Sequence, residues 1–221
     1  MCGRFTLVVN LEDLIERFDA REVFIKYSPS HNIAPSQTIA AVNKTSSGNN
    51  LISLIWGFRL GDITAINARD DKLLEVDAFK RALRSNRCII PASGFYEWQK
   101  SGKIKIPNYI HLKNKEVFSF AGLIQEIKST TGAVLKYGTI ITTQANALVK
   151  KIHNRMPVIL PKRFEDEWLN ESTQSEDELI EFLQPFPPES MEAYAVSDKV
   201  NNTENNSPDL IKPKTTLDSF F

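Results

Sequence analysis

The chain has 221 residues and carries 27 Lys and Arg against 27 Asp and Glu, a balance that excludes a uniformly basic nucleic-acid binder while leaving room for a local basic groove. An apolar fraction of 42% in a chain of this length suits one sizeable core, and no apolar run approaches the roughly 20 residues that span a bilayer. The start, Met1-Cys2-Gly3-Arg4-Phe5-Thr6, lacks the basic-then-apolar order of a secretory signal, and two cysteines make no disulfide framework, so a soluble, cytoplasmic protein is expected, nucleoid-associated if bacterial.

In chain order, Asn10 is placed to cap a short helix whose Leu11, Leu14, Ile15 and Phe18 share one face. Thr38 to Val42 and Leu51 to Trp56 read as strands joined through the polar stretch Asn43 to Asn50. Phe79 to Ser85 reads as helix. Strand patterns follow at Cys88 to Ile90, Phe95 to Trp98, Tyr109 to Leu112, Phe118 to Ala121 and Tyr137 to Thr142. Ala145, Leu148, Val149 and Ile152 have helical spacing, which predicts a helix ending near His153. Val158 to Leu160 returns as strand, Phe164 to Leu169 and Glu176 to Leu183 read as helices, and Met191 to Val196 as a last strand. The segment from Asn201 to Phe221, rich in Asn, Pro, Ser and Thr, reads as a surface-wrapping or partly mobile tail. Many short strands without βαβ alternation predict a single α+β domain over residues 1–221, built on an antiparallel, barrel-like sheet with a few short flanking helices.

Removal of Met1 exposes a free α-amine and a thiol on one residue, Cys2, followed by an uncrowded glycine. The amine has a reference pKa near ~8, so a share of it is neutral and nucleophilic at pH 7. A 1,2-aminothiol condenses with an aldehyde to an imine, and the sulfur then closes a thiazolidine. Read alone, Cys2 is an ordinary second residue. Glu97 alternates with Tyr96 and Trp98 and shares a face with Phe95, so it is expected to be partly desolvated and suited to proton transfer, or else a surface strand glutamate. His153 is placed either to carry protons or to cap helix carbonyls. Asn67 and Arg69 share a face if extended, the first able to bond an amine or a sugar hydroxyl and the second to fork onto a phosphate. Arg4, two residues beyond Cys2, faces the same side in an extended start and is a second phosphate candidate. Cys88 reads as a buried strand cysteine. Two cysteines and three scattered histidines match no zinc spacing, and there is no P-loop, GxGxxG or GxSxG. No metal and no cofactor are expected.

Taken in order, Met1-Cys2-Gly3-Arg4-Phe5, Asn32-Ile33-Ala34-Pro35-Ser36-Gln37, Trp56-Gly57-Phe58, Asn67-Ala68-Arg69, the run Arg87 to Trp98, Phe120-Ala121-Gly122-Leu123, Thr142 to Asn146, Ile152 to Leu160 and Val196 to Asn201 resemble blocks of the SRAP (SOS-response-associated peptidase) family. The resemblance implies a protein that shields abasic sites in single-stranded DNA during DNA damage, through a covalent thiazolidine crosslink. By position it implies Cys2 as the crosslinking residue and Asn67 as the group that orients the amine and the opened sugar. Glu97 becomes the acid/base and His153 the proton handler of Schiff-base formation and reversal. Arg4 and Arg69 become phosphate contacts, and Arg155 a further DNA-binding residue. Asn32, Pro35 and Ser36 become lining of the same cleft, and Trp56 or Phe58 could stack on a base or pack in the core, the reading preferred for Trp56. A cysteine peptidase using Cys2 and His153, and a non-catalytic DNA-binding module, are the competing readings. The expected partner is single-stranded DNA with an abasic site, bound by a monomer. Only Phe58 to Ile66 separates the Trp-Gly and Asn-Ala-Arg blocks, shorter than in many relatives.

Overall fold

The computed structural model describes residues 2–170 and 175–214. Met1 and residues 215–221 of the expected tail lie outside the described residues. The strands are β1 (Arg4–Leu7), β2 (Ala20–Phe24), β3 (Ser30–Ile33), β4 (Thr38–Thr45), β5 (Gly48–Trp56), β6 (Phe58–Leu60), β7 (Ile63–Ala65) and β8 (Asn67–Arg69), followed by β9 (Arg87–Ala92), β10 (Gly94–Ser101), β11 (Ile104–Leu112), β12 (Phe118–Lys128), β13 (Val134–Gln144), β14 (Arg155–Pro157), β15 (Ile159–Leu160) and β16 (Met191–Ala195). The helices are α1 (Leu11–Phe18), α2 (Asp77–Ser85), α3 (Glu165–Leu169) and α4 (Glu176–Glu181).

Two sheets carry the architecture. In the larger, the order β13-β12-β9-β4-β5 is antiparallel and closes on itself, because β13 also pairs with β5. That closing seam is parallel, with Tyr137 opposite Ile55 and Gly138 opposite Trp56. Gly57 then turns the chain away at φ +143, a conformation that L side chains rarely adopt, and donates its N–H to Gly138 O at 2.8 Å. The second sheet, β3-β1-β10-β11-β16, is antiparallel and lies over the ring. Alternation sends Phe5 of β1 and Phe95 of β10 inward, where both meet Phe120 of β12 edge to face at 5.9 and 6.0 Å, and Phe5 meets Trp56 at 5.1 Å. The opposite face of β10 and β11 presents Tyr96 and Tyr109, which pack with Val196, Val200 and Leu210. An α+β domain on a barrel-like antiparallel core is thus what the chain forms.

Local chemistry explains the elements. Asn10 Oδ1 accepts from Asp13 N at 2.8 Å in a reciprocal capping box, and α1 buries Leu14 and Phe18 before Asp19 ends it at φ 46. The polar stretch 43–50 is mostly strand rather than loop, since Asn43 and Asn50 pair and only a tight turn at 46–47 remains. The helix expected over 145–153 is absent. Only a 3-10 turn at Val149–Lys151 forms there. Asn146 takes over the backbone: its Oδ1 accepts from Leu148 N at 3.1 Å and Val149 N at 2.9 Å, while Ala145 N bonds Asn154 O, closing a loop instead of propagating a helix. Residues 201–214 of the tail pack against the sheet, with Leu210 1% exposed and Lys214 N bonded to Ala195 O at 2.8 Å. The short segment before Asn67 folds as the β6–β7 hairpin, pinned to β12 by paired bonds between the Arg59 backbone and the Gln125 amide. No described helix is long and apolar enough to cross a membrane.

Candidate active site and nucleic-acid interface

The β10–β11 hairpin and the loop before β14 face each other across a cleft of about 900 Å³. Glu97, Trp98, Lys100 and Lys105 line one side, Lys151, His153 and Asn154 the other, and Asn201 completes the wall. Gln99 Nε2 bonds Lys151 O at 2.9 Å and ties the two sides together. Glu97 pairs with Asn108 across the hairpin and is 3% exposed, on the Phe95 face as the alternation predicts, so its carboxylate is largely stripped of water. His153 is half-buried. Its Nδ1 lies 3.0 Å from Arg155 N and 3.2 Å from Arg155 O, contacts that orient the ring.

Cys2 is fully buried with the core cluster that holds Phe5, and its Sγ contacts Arg4 O at 3.8 Å. Burial, reinforced by the negative charge of Glu97, pushes the thiol well above its ordinary range and keeps it protonated. The shared face expected for Cys2 and Arg4 does not hold. Regular pairing begins only at Arg4, so Cys2 turns into the core while the Arg4 guanidinium lies 6.0 Å from the Trp98 ring on the other side of the sheet.

Asn67 begins β8, which docks parallel to β13 with Asn67 opposite Ile140. Its Nδ2 bonds Ile66 O at 3.0 Å, the carbonyl that also takes the Trp56 indole N–H at 2.9 Å. Trp56 packs on Phe5, so one chain of contacts links Asn67 to the strand that starts beside Cys2. Among the described residues Asn67 Oδ1 is buried without a hydrogen-bond partner, a polar atom whose desolvation is left uncompensated until something donates to it.

The residues expected to touch DNA separate into groups. Trp56 is 0% exposed, so stacking of its ring on a base is overturned by its place in the barrel seam. Arg155 is also withdrawn: 9% exposed, it bonds Asp70 Oδ1 at 2.7 Å and the Thr142 carbonyl, and so braces β8 against β13. Asn32 is 2% exposed, and Pro35 and Ser36 form a turn held by Ser36 N to Trp56 O at 2.8 Å. None of the three lines the cleft of Glu97 and His153. Arg69 is half-exposed but paired in bidentate fashion with Asp71, Nε to Oδ1 at 2.9 Å and Nη2 to Oδ2 at 2.5 Å, which holds its pKa above the usual value. Arg4 gives Nη1 to Asn32 Oδ1 and to Val200 O, both at 2.7 Å. The sequence reading missed Lys100, Lys105 and Lys151. The Lys100-Ser101-Gly102-Lys103-Ile104-Lys105 run was their signal, because a tight turn brings flanking lysines opposite one another. Among the described residues no group of three His, Cys, Asp or Glu is arranged to hold a metal ion.

Comparison with known proteins identifies the family and the fold. The family model described as SOS response associated peptidase (SRAP) matches residues 1–203. The abasic site processing protein YoaM of Bacillus subtilis is 46% identical over 96% of this chain and 97% of its own. The abasic site processing protein HMCES of Rattus norvegicus is 26% identical over 87% of this chain and 67% of its own. A crystal structure of a Bacteroides thetaiotaomicron protein superposes with a TM-score of 0.86 at 25% identity, covering 97% of this chain and 100% of that one.

Proposed function

The chain belongs to the SOS response associated peptidase (SRAP) family, and on that premise we propose that it processes abasic sites in single-stranded DNA by covalent capture on Cys2 after loss of Met1. The observation that carries the reading is the cleft itself: a buried carboxylate and a histidine on facing walls, beneath three lysines, in a chain of zero net charge. A concentration of positive charge over proton-transfer groups suits an anionic backbone that carries a reactive carbonyl.

Glu97 transfers the proton that opens the sugar hemiacetal to its aldehyde. The neutral Cys2 amine adds to C1′, giving a carbinolamine, and loss of one water leaves the imine. The Cys2 S–H then adds across C=N: sulfur bonds C1′, the proton goes to nitrogen, and the thiazolidine differs from the reactants by one water. Asn67, whose Oδ1 has no partner among the described residues, accepts from the amine and restricts its approach, an effective-concentration gain. His153 relays protons at the sugar hydroxyl.

A buried, protonated thiol favours this order of events over a cysteine peptidase. A peptidase needs the thiolate as its first nucleophile, whereas here the amine attacks first and the sulfur follows with its proton. Intact-mass measurement with a single-stranded abasic oligonucleotide tests the proposal. A heat-stable gain equal to the oligonucleotide minus one water, lost in Cys2→Ser, is expected. A folded protein lacking Met1 that forms no adduct would sink it.

A further inference from the structure

We propose that Arg4 and Asn32 are positioning residues, a clasp that fixes the Val200–Asn205 segment as one wall of the cleft and anchors the strand end next to Cys2. The inference rests on the abasic-site reading for its functional consequence, but its geometry stands apart from it. Asn32 is 2% exposed, and its single amide nitrogen meets three carbonyls of one short segment: Asn202 O at 2.9 Å, Asn205 O at 2.8 Å and Val200 O at 3.4 Å. Its Oδ1 accepts Arg4 Nη1, and the same Arg4 nitrogen reaches Val200 O. One guanidinium and one carboxamide therefore join three places in the chain: β1 two residues after Cys2, β3, and the segment beyond β16.

That segment is part of the site. Trp98 Nε1 donates to Asn201 Oδ1 at 2.8 Å, which holds the Asn201 side chain in the cleft beside Glu97 and His153. Val200 is buried against Tyr96, the neighbour of Glu97 on β10. Partial burial also pulls the Arg4 pKa below its ordinary value, because desolvation disfavours the charged guanidinium. Nη1 is committed to these two protein acceptors, while Nε is buried with no partner among the described residues, so the guanidinium is held by the protein through one nitrogen. The clasp geometry predicts that Arg4 acts on the rate of capture by holding Cys2 and the Asn201 wall in register, rather than on the electrostatic affinity for DNA.

The test uses the full chain without Met1, as wild type, Arg4→Lys, Arg4→Met, Asn32→Ser and the Arg4→Lys/Asn32→Ser double variant. Three readouts are taken: amide exchange over residues 199–206 in the free protein, adduct formation rate at saturating abasic oligonucleotide, and the salt dependence of DNA binding. The clasp predicts that Arg4→Lys, which keeps the charge, and Asn32→Ser each speed exchange about tenfold or more and slow capture by a similar factor. Affinity and the salt slope stay at wild-type values, and the double variant falls little below either single one. Unchanged exchange in Arg4→Lys and Asn32→Ser overturns the inference. So does an Arg4→Lys variant with full capture rate alongside an Arg4→Met variant whose salt slope drops by about one, which is the behaviour of a phosphate ligand. If Asn32→Ser does not fold, Trp98→Phe removes only the donor to Asn201 and carries the same exchange test. If wild type forms no adduct, the functional reading fails, and the exchange data still decide the clasp.

Discussion

Lys100 and Lys105 are direct cross-strand neighbours on the β10–β11 hairpin, both exposed and neither ion-paired among the described residues. Like charges placed opposite one another destabilise a hairpin unless an anion lies between them. Lys151 completes the arrangement from the facing wall. The free protein therefore holds an unfavourable charge pair that bound phosphates would relieve.

Replacing Lys100 and Lys105 together by Gln should weaken DNA binding while leaving the capture rate at saturation unchanged. The slope of log K against log salt should fall by roughly 1.4, about 0.7 for each lost contact on a single strand. Titrations at several salt concentrations measure it. A slope identical to wild type would remove this hairpin from the DNA path.

Glu97→Gln keeps the shape of the side chain and removes its base. Single-turnover capture should slow by about 10²- to 10⁴-fold with little change in affinity. The same change should lower the pKa of the Cys2 thiol, because the Glu97 charge is the second cause of its elevation, while burial, the first cause, keeps it above the ordinary range. Thiol titration by ultraviolet absorbance reads this directly, and a thiol pKa that rises in Glu97→Gln would contradict the placement.

Asp71→Asn should free Arg69. The carboxylate now occupies both prongs of the guanidinium fork, so a phosphate must displace it. An exposed pair is weak, so the expected gain in DNA affinity is modest, about two- to fivefold at low salt, with a steeper salt slope. The buried Arg155–Asp70 pair beside it is expected to stay in place. Equal affinity for the two proteins would show that Arg69 does not reach the backbone.

Stability should decline at alkaline pH. Cys88 is fully buried, and burial alone raises its thiol pKa; Tyr109 is pushed up to about 12 mainly by burial. For groups whose folded pKa lies above the unfolded value, the stabilisation is complete below the unfolded pKa and is lost as pH rises toward the folded one. The decline thus starts near pH 8.5 for the thiol and near pH 10 for the phenol. Thermal melts between pH 7 and 10.5 should fall progressively, and Cys88→Ala should flatten the first part of that fall.

Most elements were legible because their causes are local. The Asn10 capping box, the alternation that places Glu97 with Phe95 and apart from Tyr96 and Trp98, and the burial of Cys88 each follow from spacings of a few residues. The helix expected over 145–153 failed for a reason that apolar spacing does not contain. One carboxamide, Asn146, bonds the backbone ahead of it and, through Nδ2, the distant Phe186 carbonyl.

The sequence by itself determined the fold class and the family resemblance and singled out Cys2, Glu97 and His153 as candidates, because residue type and short-range period carry that information. Only the tertiary structure decided which polar groups are available. Arg155 and Asn32 look like surface contacts in a linear reading, yet each is buried by chain remote from it: Arg155 against Asp70, and Asn32 against carbonyls as far as 173 residues away. A buried polar group must find partners within the protein, and their positions depend on how distant segments pack.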